Sequence, residues 1–348
     1  MKILLGMSGG LDSTYAAHLL TVEGHEVTGA LLVTSGCTDE NTAMLSASEA
    51  GVPLVKLDAR EKFDRFVVAP FVDEYLRART PNPCVLCNPA IKFGLLCEYA
   101  EEHGFDRVST GHYTAVGEEN GRFFIKKALD SSKDQGYVLW KLTQKQLSML
   151  YFPLSGMKKT EVRAEARRLG YTAAEAKDSQ EICFIPDNDH ARFIEEYTGK
   201  KAEPGDFLDK NGKVVGKHKG IVHYTVGQRK GLGIALGEPV FVTKIDPEAN
   251  TVTVAPAGNE FSGGMRISDM AFQKTVLTAG DTLSCLVKVR YAAPPVPATV
   301  RMETADRASV VFSSPVRAVT PGQSAVFYDE SGDLLFGGLI DGDENAEE

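Results

Sequence analysis

Gly6-Met7-Ser8-Gly9-Gly10-Leu11-Asp12-Ser13 follows the apolar run Ile3-Leu4-Leu5 without a break and leads straight into Thr14-Tyr15-Ala16-Ala17-His18-Leu19-Leu20. A short buried strand that enters a glycine-rich turn and then a helix presents outward-facing N–H groups and the positive end of the helix dipole, which suits an anion. Glycines needed only for a tight corner would not bring Ser8, Asp12 and Ser13 with them. The order differs from a Walker loop, which ends in Gly-Lys-Ser/Thr, and from the spacing of the dinucleotide fingerprint. Outward from this stretch, Lys2–Met7, His25–Val33, Leu54–Leu57 and Phe105–Thr110 read as strands. Asp12–Glu23, Glu40–Ala50, Glu61–Arg79, Thr143–Leu150 and Lys159–Gly170 carry helical spacing. That alternation predicts an α/β domain with a parallel sheet and its ligands at the carboxyl ends of the strands. Ser8–Ser13 and Gly111-His112 both stand at such ends, so they are expected to share one pocket.

Past Lys200 the texture changes. Asp209-Lys210-Asn211-Gly212-Lys213 is a hairpin signal, and Val240–Ile245, Thr251–Ala255, Thr282–Val289, Ala298–Met302 and Ala308–Phe312 are short strands. The second half is therefore expected to be β-rich and to end in a small barrel. A length of 348 residues suggests two or three domains. The expected division is a Rossmann-like domain over 1–200, a small central domain over 201–269, a β-barrel over 270–343 and an acidic tail over 344–348. No apolar stretch approaches 18 residues, and a strand beginning at the N-terminus leaves no room for a secretory signal, so a cytoplasmic protein with no membrane partner is expected. The net charge of −9 opposes a nucleic-acid partner only if it is spread evenly, and it is not. Lys213, Lys217, Lys219, Arg229 and Lys230 form a stretch without an acid, and a local patch of that kind suits phosphate.

Six cysteines in a reducing compartment read as redox, catalytic, metal-binding or buried groups rather than as a disulfide framework. In Thr80-Pro81-Asn82-Pro83-Cys84-Val85-Leu86-Cys87-Asn88 the prolines are expected to disfavour a helix and stiffen a loop, with Cys84 and Cys87 on a rigid turn. Metal sites and redox pairs both use a Cys-x-x-Cys of this kind. Cys183 stands in a second polar-to-apolar segment, Asp178–Pro186, and Cys97 reads as a small core hydrophobe.

Gly6–Ser13 resembles the pyrophosphate loop of ATP-pyrophosphatases, and the chain as a whole resembles the bacterial tRNA-specific 2-thiouridylases. The resemblance rests on Gly6–Ser13, Thr80–Phe93, Thr110–Tyr113, Lys133-Asp134-Gln135, Asp178–Pro186, Tyr224–Gly233, Val289-Arg290-Tyr291 and Ala318–Tyr328. It implies ATP-dependent replacement of O2 by sulfur in the wobble uridine of tRNA, with Mg²⁺ and a sulfur-donor protein or sulfide. By resemblance, Gly6, Met7, Ser8, Gly9, Gly10, Leu11, Asp12 and Ser13 would hold the ATP phosphates, and Leu32 and Gly111 would line the adenosine. Asn82, Pro83 and Cys84 would face the target base. Cys87 would be the nucleophile and Cys183 the persulfide carrier. His112, Lys133, Asp134, Gln135, Arg290, Tyr291 and Gln323 would touch the tRNA. One position departs: many members have Asp where this chain has Cys84, so no role of that carboxylate transfers. Cys84, Cys87 and Cys183 leave two routes open, a [4Fe–4S] cluster with one free iron or a persulfide–disulfide relay, with zinc a weaker third. Two rivals stand beside this reading: an amide- or amidine-forming ligase of the argininosuccinate or GMP synthetase type, and an RNA-binding module with structural zinc.

Overall fold

The computed structural model describes residues 1–176 and 182–342. Its N-terminal part contains β1 (Lys2–Gly6), β2 (Glu26–Val33), β3 (Leu54–Asp58), β4 (Arg107–Thr110), a hairpin of β5 (Ala115–Glu119) and β6 (Arg122–Lys126), and a short β7 (Leu150–Tyr151). Five of these form a sheet in the order β3-β2-β1-β4-β7, every pairing parallel. Successive residues of β1 point to opposite faces, and Ile3, Leu4 and Leu5 are all fully buried, as a strand covered on both sides requires. Ile3 and Leu5 pack with α1 (Leu11–Val22), α2 (Glu40–Ala50) and the helix Lys159–Arg168, while Leu4 packs with the helix Phe93–Glu102. The expected α/β architecture is the one observed.

Two local expectations are corrected. Glu61–Arg79 is not one regular helix: Arg60–Phe63 passes into a π-helical turn over Asp64–Val68, then Ala69–Leu76, and the chain leaves at Ala78 with φ +58°. The Cys-x-x-Cys segment is not a loop, because Pro83–Cys87 is a short helix. Pro83 occupies its first position, where the missing N–H would have had no intrahelical partner. The Asn82 side chain caps it by accepting from the Cys84 N–H at 3.1 Å. A second π-helical turn, Asn88–Lys92, joins this helix to Phe93–Glu102.

In the second half, β8 (Gly205–Leu208) and β9 (Val214–His218) pair around the expected turn, and with β10 (Val240–Asp246) and β11 (Thr251–Pro256) they form a sheet ordered β10-β11-β8-β9. A closed barrel follows, in the order β12-β15-β14-β13-β16-β17, from β12 (Phe261–Phe272), β13 (Thr282–Lys288), β14 (Val296–Met302), β15 (Ala308–Arg317), β16 (Ser324–Tyr328) and β17 (Leu334–Gly342). The domain edge expected near Met270 falls inside β12, which pairs with β15 from Phe261 onward. The acidic tail expected over 344–348 lies outside the described residues, as does most of the polar part of Asp178–Pro186.

The barrel is seated directly on the first domain. Trp140 is fully buried; its Nε1 donates to Ser324 Oγ at 2.9 Å, and the Tyr137 hydroxyl donates to the Ser324 carbonyl at 2.8 Å. A Cβ on Gly337 would lie 2.5 Å from the Trp140 ring, so glycine there permits the close approach. Buried Gln273 of the barrel side accepts from Ile125 N and donates to the carbonyls of Leu139 and Trp140. These fully satisfied polar contacts fix the barrel relative to the sheet.

Candidate active site

The glycine-rich turn sits at the carboxyl end of β1, wedged between α2 and β4. Gly9 has φ +81°, and a Cβ there would lie 2.8 Å from the backbone of Thr42 and Ala43. Ser46 Oγ donates to the Gly9 carbonyl at 3.0 Å, and Ser13 Oγ donates to the Gly10 carbonyl at 3.0 Å. Gly10 precedes α1 with no side-chain cap, so no side chain takes up the first N–H groups there. Gly111, at the end of β4, lies so close to α1 that a Cβ on it would be 2.7 Å from the Asp12 carbonyl carbon and the Ser13 nitrogen. The two strand ends singled out in the sequence are thus neighbours. Leu32 stands half-buried near the end of β2. Asp12 is held by two groups that sequence reasoning missed: the Tyr113 hydroxyl donates to Oδ1 at 2.9 Å, and Lys159 Nζ donates to Oδ1 and Oδ2 at 2.5 and 2.6 Å. Lys159 opens a helix far downstream and is buried; only its position at the start of a basic helix signalled it.

The thiols gather at the same end of the sheet. Phe184 packs its ring against Phe63 and Phe71 with centroids 5.6 and 5.3 Å away, and both Cys87 and Ile182 pack on that cluster. This brings the segment that carries Cys183 beside the Pro83–Cys87 helix. The charges of Cys84 and Cys183 both act on Cys87, and that of Cys84 acts on Cys183. All three thiols are free; Cys84 and Cys183 are exposed and Cys87 is half-buried. Burial pushes Cys87 up to about 12, against the opposing pull of the Lys92 ammonium. Surrounding protein also raises Cys84 and Cys183, solvent-accessible though they are, as walls around an open recess would. Among the described residues, no group of three or more His, Cys, Asp or Glu is arranged to hold a metal ion. The three thiols are thus not arranged as a ligand set for a [4Fe–4S] cluster among the described residues. The Cys87 value carries a prediction. Its alkylation by iodoacetamide, followed by peptide mass spectrometry, is expected to rise about tenfold per pH unit from pH 7 to 10. A plateau near pH 8 would overturn that assignment.

His112 is buried, with Nδ1 2.7 Å from Thr110 Oγ1 and Nε2 3.5 Å from Lys92 Nζ. Burial, and then the Lys92 charge, hold its pKa well below the ordinary range, so the ring is neutral. The other residues singled out for RNA contact also bond within the protein. Gln135 Oε1 accepts from Tyr113 N at 2.9 Å, Asp134 Oδ1 accepts from Gly136 N at 2.7 Å, and burial raises the Asp134 pKa. Lys133 is half-buried beside them. Tyr291 is exposed, and its hydroxyl donates to the Asp134 carbonyl at 3.2 Å. Arg290 Nη2 donates to the carbonyl of Val226 at 2.9 Å and also reaches Thr320 Oγ1, tying the stretch after Tyr224 to the barrel. Gln323 Nε2 donates to the Thr80 carbonyl at 2.7 Å, and Thr80 N donates to the Pro321 carbonyl at 2.8 Å. A barrel turn therefore grips the segment that leads into Asn82, Pro83 and Cys84.

Residues 1–187 match a family model described as the tRNA methyl transferase HUP domain, 191–256 the tRNA methyl transferase PRC-barrel domain, and 262–340 the aminomethyltransferase beta-barrel domain. The tRNA-specific 2-thiouridylase MnmA of Acetivibrio thermocellus is 41% identical, covering 97% of this chain and 98% of that protein. That of Clostridium perfringens is 43% identical over 97% of this chain and 98% of its own length. The chain belongs to the tRNA-specific 2-thiouridylase family. The domain models speak of methyl transfer, but the full-length relatives span the whole thiouridylase architecture and decide the family. Among solved structures, a 4-thiouridine synthetase–RNA complex with bound ATP matches at 18% identity and a TM-score of 0.35, over 56% of this chain and 50% of that one. Among the described residues, no helix is long and apolar enough to cross a membrane.

Proposed function

We propose that the chain is a tRNA-uridine 2-sulfurtransferase that spends ATP to replace O2 of the wobble uridine with sulfur, giving 2-thiouridine, AMP and pyrophosphate. The observation that carries this reading is the meeting, at one end of the parallel sheet, of an uncapped glycine turn and thiols from two separate segments. Methyl transfer and ligase chemistry need no such thiols.

The chemistry follows from what the substrate lacks. O2 of uracil belongs to a stabilised ring amide and leaves poorly. Its attack on the α-phosphorus of ATP expels pyrophosphate and converts it into part of a phosphate ester. Gly6–Ser13 would receive the phosphates on its N–H groups. Mg²⁺ travelling with ATP would neutralise charge on the leaving pyrophosphate, and Asp12 supplies the oxygen donor that such an ion takes. Leu32 and Gly111 would line the nucleoside. Sulfur must then arrive as a strong nucleophile in a site that excludes water, or the adenylate hydrolyses. A Cys183 persulfide attacks C2 through its terminal sulfur. The Cys87 thiolate attacks the Cys183 Sγ, and the cleaved S–S pair stays on the transferred sulfur as AMP departs with O2. The product is a Cys87–Cys183 disulfide; either an external thiol reduces it and a donor protein then passes its persulfide sulfur to Cys183, or sulfide itself cleaves the disulfide, leaving a persulfide on Cys183 and a thiol on Cys87.

The decisive experiment is reaction of the purified protein with unmodified tRNA, ATP and a persulfide donor, followed by nucleoside mass spectrometry. Formation of 2-thiouridine that requires ATP is expected; none would overturn the reading. Lys213, Lys217, Lys219, Arg229 and Lys230 are all exposed, and they supply the track for tRNA phosphates. Binding is therefore expected to weaken steeply with salt, and replacing Arg229 and Lys230 by Ala to lower the slope of log K against log[salt] by about 1 to 2. Titrations at four salt concentrations measure it, and an unchanged slope would remove this stretch from the interface.

A further inference from the structure

Lys92 lies in the Thr80–Phe93 block but has been given no role so far, yet its charge acts on Cys84, Cys87, Cys183 and His112 together. Its place is set by the π-helical turn Asn88–Lys92, whose wider winding carries the chain from Cys87 into the next helix and turns the Lys92 backbone N–H toward the Cys87 thiol. Its ammonium is 3.5 Å from His112 Nε2, and no carboxylate among the described residues lies within ion-pairing distance of it. The neutral His112 ring explains the aim. In the tautomer whose Nδ1–H donates to Thr110 Oγ1, the lone pair of Nε2 is left to accept from Lys92. A half-buried lysine with no carboxylate partner among the described residues, held against a buried histidine where its charge acts on three thiols, is a cation reserved for an anion that arrives during the reaction.

We infer that Lys92 stabilises the anionic sulfur while it passes from Cys183 to C2 of the adenylated uridine, and that His112 is the positioning residue that holds it there. The inference rests on the sulfurtransferase reading above. In that step the negative charge begins on the terminal persulfide sulfur. It spreads over the C2 adduct as the C–S bond forms, and it leaves with AMP as the C–O bond breaks. An ammonium fixed beside the path is in place before the charge moves and needs no reorganisation. Adenylation takes place at the glycine turn and makes no use of it.

The test is single-turnover reaction of protein whose Cys183 has been loaded with a persulfide, with pyrophosphate release and 2-thiouridine formation measured in the same samples. Lys92→Met is expected to slow 2-thiouridine formation about 10²- to 10³-fold while pyrophosphate release stays within about threefold, so that AMP appears without thiolation. Lys92→Arg, which keeps the charge, is expected to recover to within about tenfold of the wild type. His112→Gln, whose amide oxygen still accepts a hydrogen bond, is expected to retain more thiolation than His112→Ala. Thiolation by Lys92→Met within threefold of the wild type would overturn the inference. So would pyrophosphate release falling in parallel in both Lys92 variants, since Lys92 would then serve the nucleotide step or the fold. A wild-type sample that releases pyrophosphate but never forms 2-thiouridine would instead defeat the sulfurtransferase reading itself.

Discussion

Cys183→Ser is expected to lower 2-thiouridine formation at least about 10³-fold while tRNA-dependent pyrophosphate release continues, because a hydroxyl cannot carry the transferable sulfur. Cys87→Ser is expected to lose multiple turnover to the same extent. It would retain persulfide on Cys183, visible as a mass increase of one sulfur on the peptide that contains it. The distinction follows from the bonds: Cys183 holds the sulfur that moves, and Cys87 displaces it. Cys87 packs on the cluster built around Phe184 and Cys183 is exposed, so serine, nearly the same size, should leave the packing intact at both positions. Cys84→Ser gives the contrast. Asn82 caps the helix through the backbone N–H of Cys84, which serine keeps, and the thiol itself is exposed. Its thiolation is expected within about threefold of the wild type. A loss as deep as that of Cys183→Ser would mean that all three thiols act as one ligand set, contrary to their arrangement here.

The sheet and its loop were legible because their signals are local. Ile3-Leu4-Leu5 followed by Gly-rich sequence and a helix-forming run leaves few alternatives, and β13, β14 and β15 announced themselves by strands at close spacing, whereas β12, β16 and β17 did not. Pro83–Cys87 misled because two prolines in a row of four residues signal a stiff loop, whereas Pro83 at a helix start is well tolerated and the Asn82 cap completes the turn. The barrel begins before the edge expected near Met270; Ser262-Gly263-Gly264 interrupts the apolar alternation at the start of β12, where pairing with β15 shifts register. What sequence could not supply was partnership across distance. Lys159 meets Asp12 across 147 residues, and Gln323 meets Thr80 across 243. No spacing rule links such positions. Arg290 and Gln323, which by resemblance would touch the tRNA, each also give a hydrogen bond to the protein's own backbone, a partnership that no spacing announces.

The same long-range contact gives the second large effect. Asp12 is two-thirds shielded and takes three hydrogen bonds, one from Tyr113 and two from Lys159. Lys159 and Asp12 pair at the mouth of the anion loop. Binding of a triphosphate with its magnesium ion offers Asp12 a cation and Lys159 an anion, so the pair exchanges partners with little net change in charge. Asp12→Asn keeps the size and an acceptor for Tyr113 but removes the charge, and pyrophosphate release is expected to fall about 10²- to 10³-fold. Lys159→Met is expected to cause a similar loss, and in both variants ATP with Mg²⁺ should no longer raise the melting temperature as it does in the wild type. The order of the effects separates this from simple unfolding. Each variant should lose about 2 kcal/mol of stability through its charge-assisted hydrogen bonds, which moves melting by a few degrees and leaves the protein folded at 25 °C. Persulfide loading of Cys183, which needs no nucleotide, should proceed normally in both. Full ATP-dependent stabilisation in Lys159→Met would show that the lysine serves Asp12 alone and never meets the phosphates.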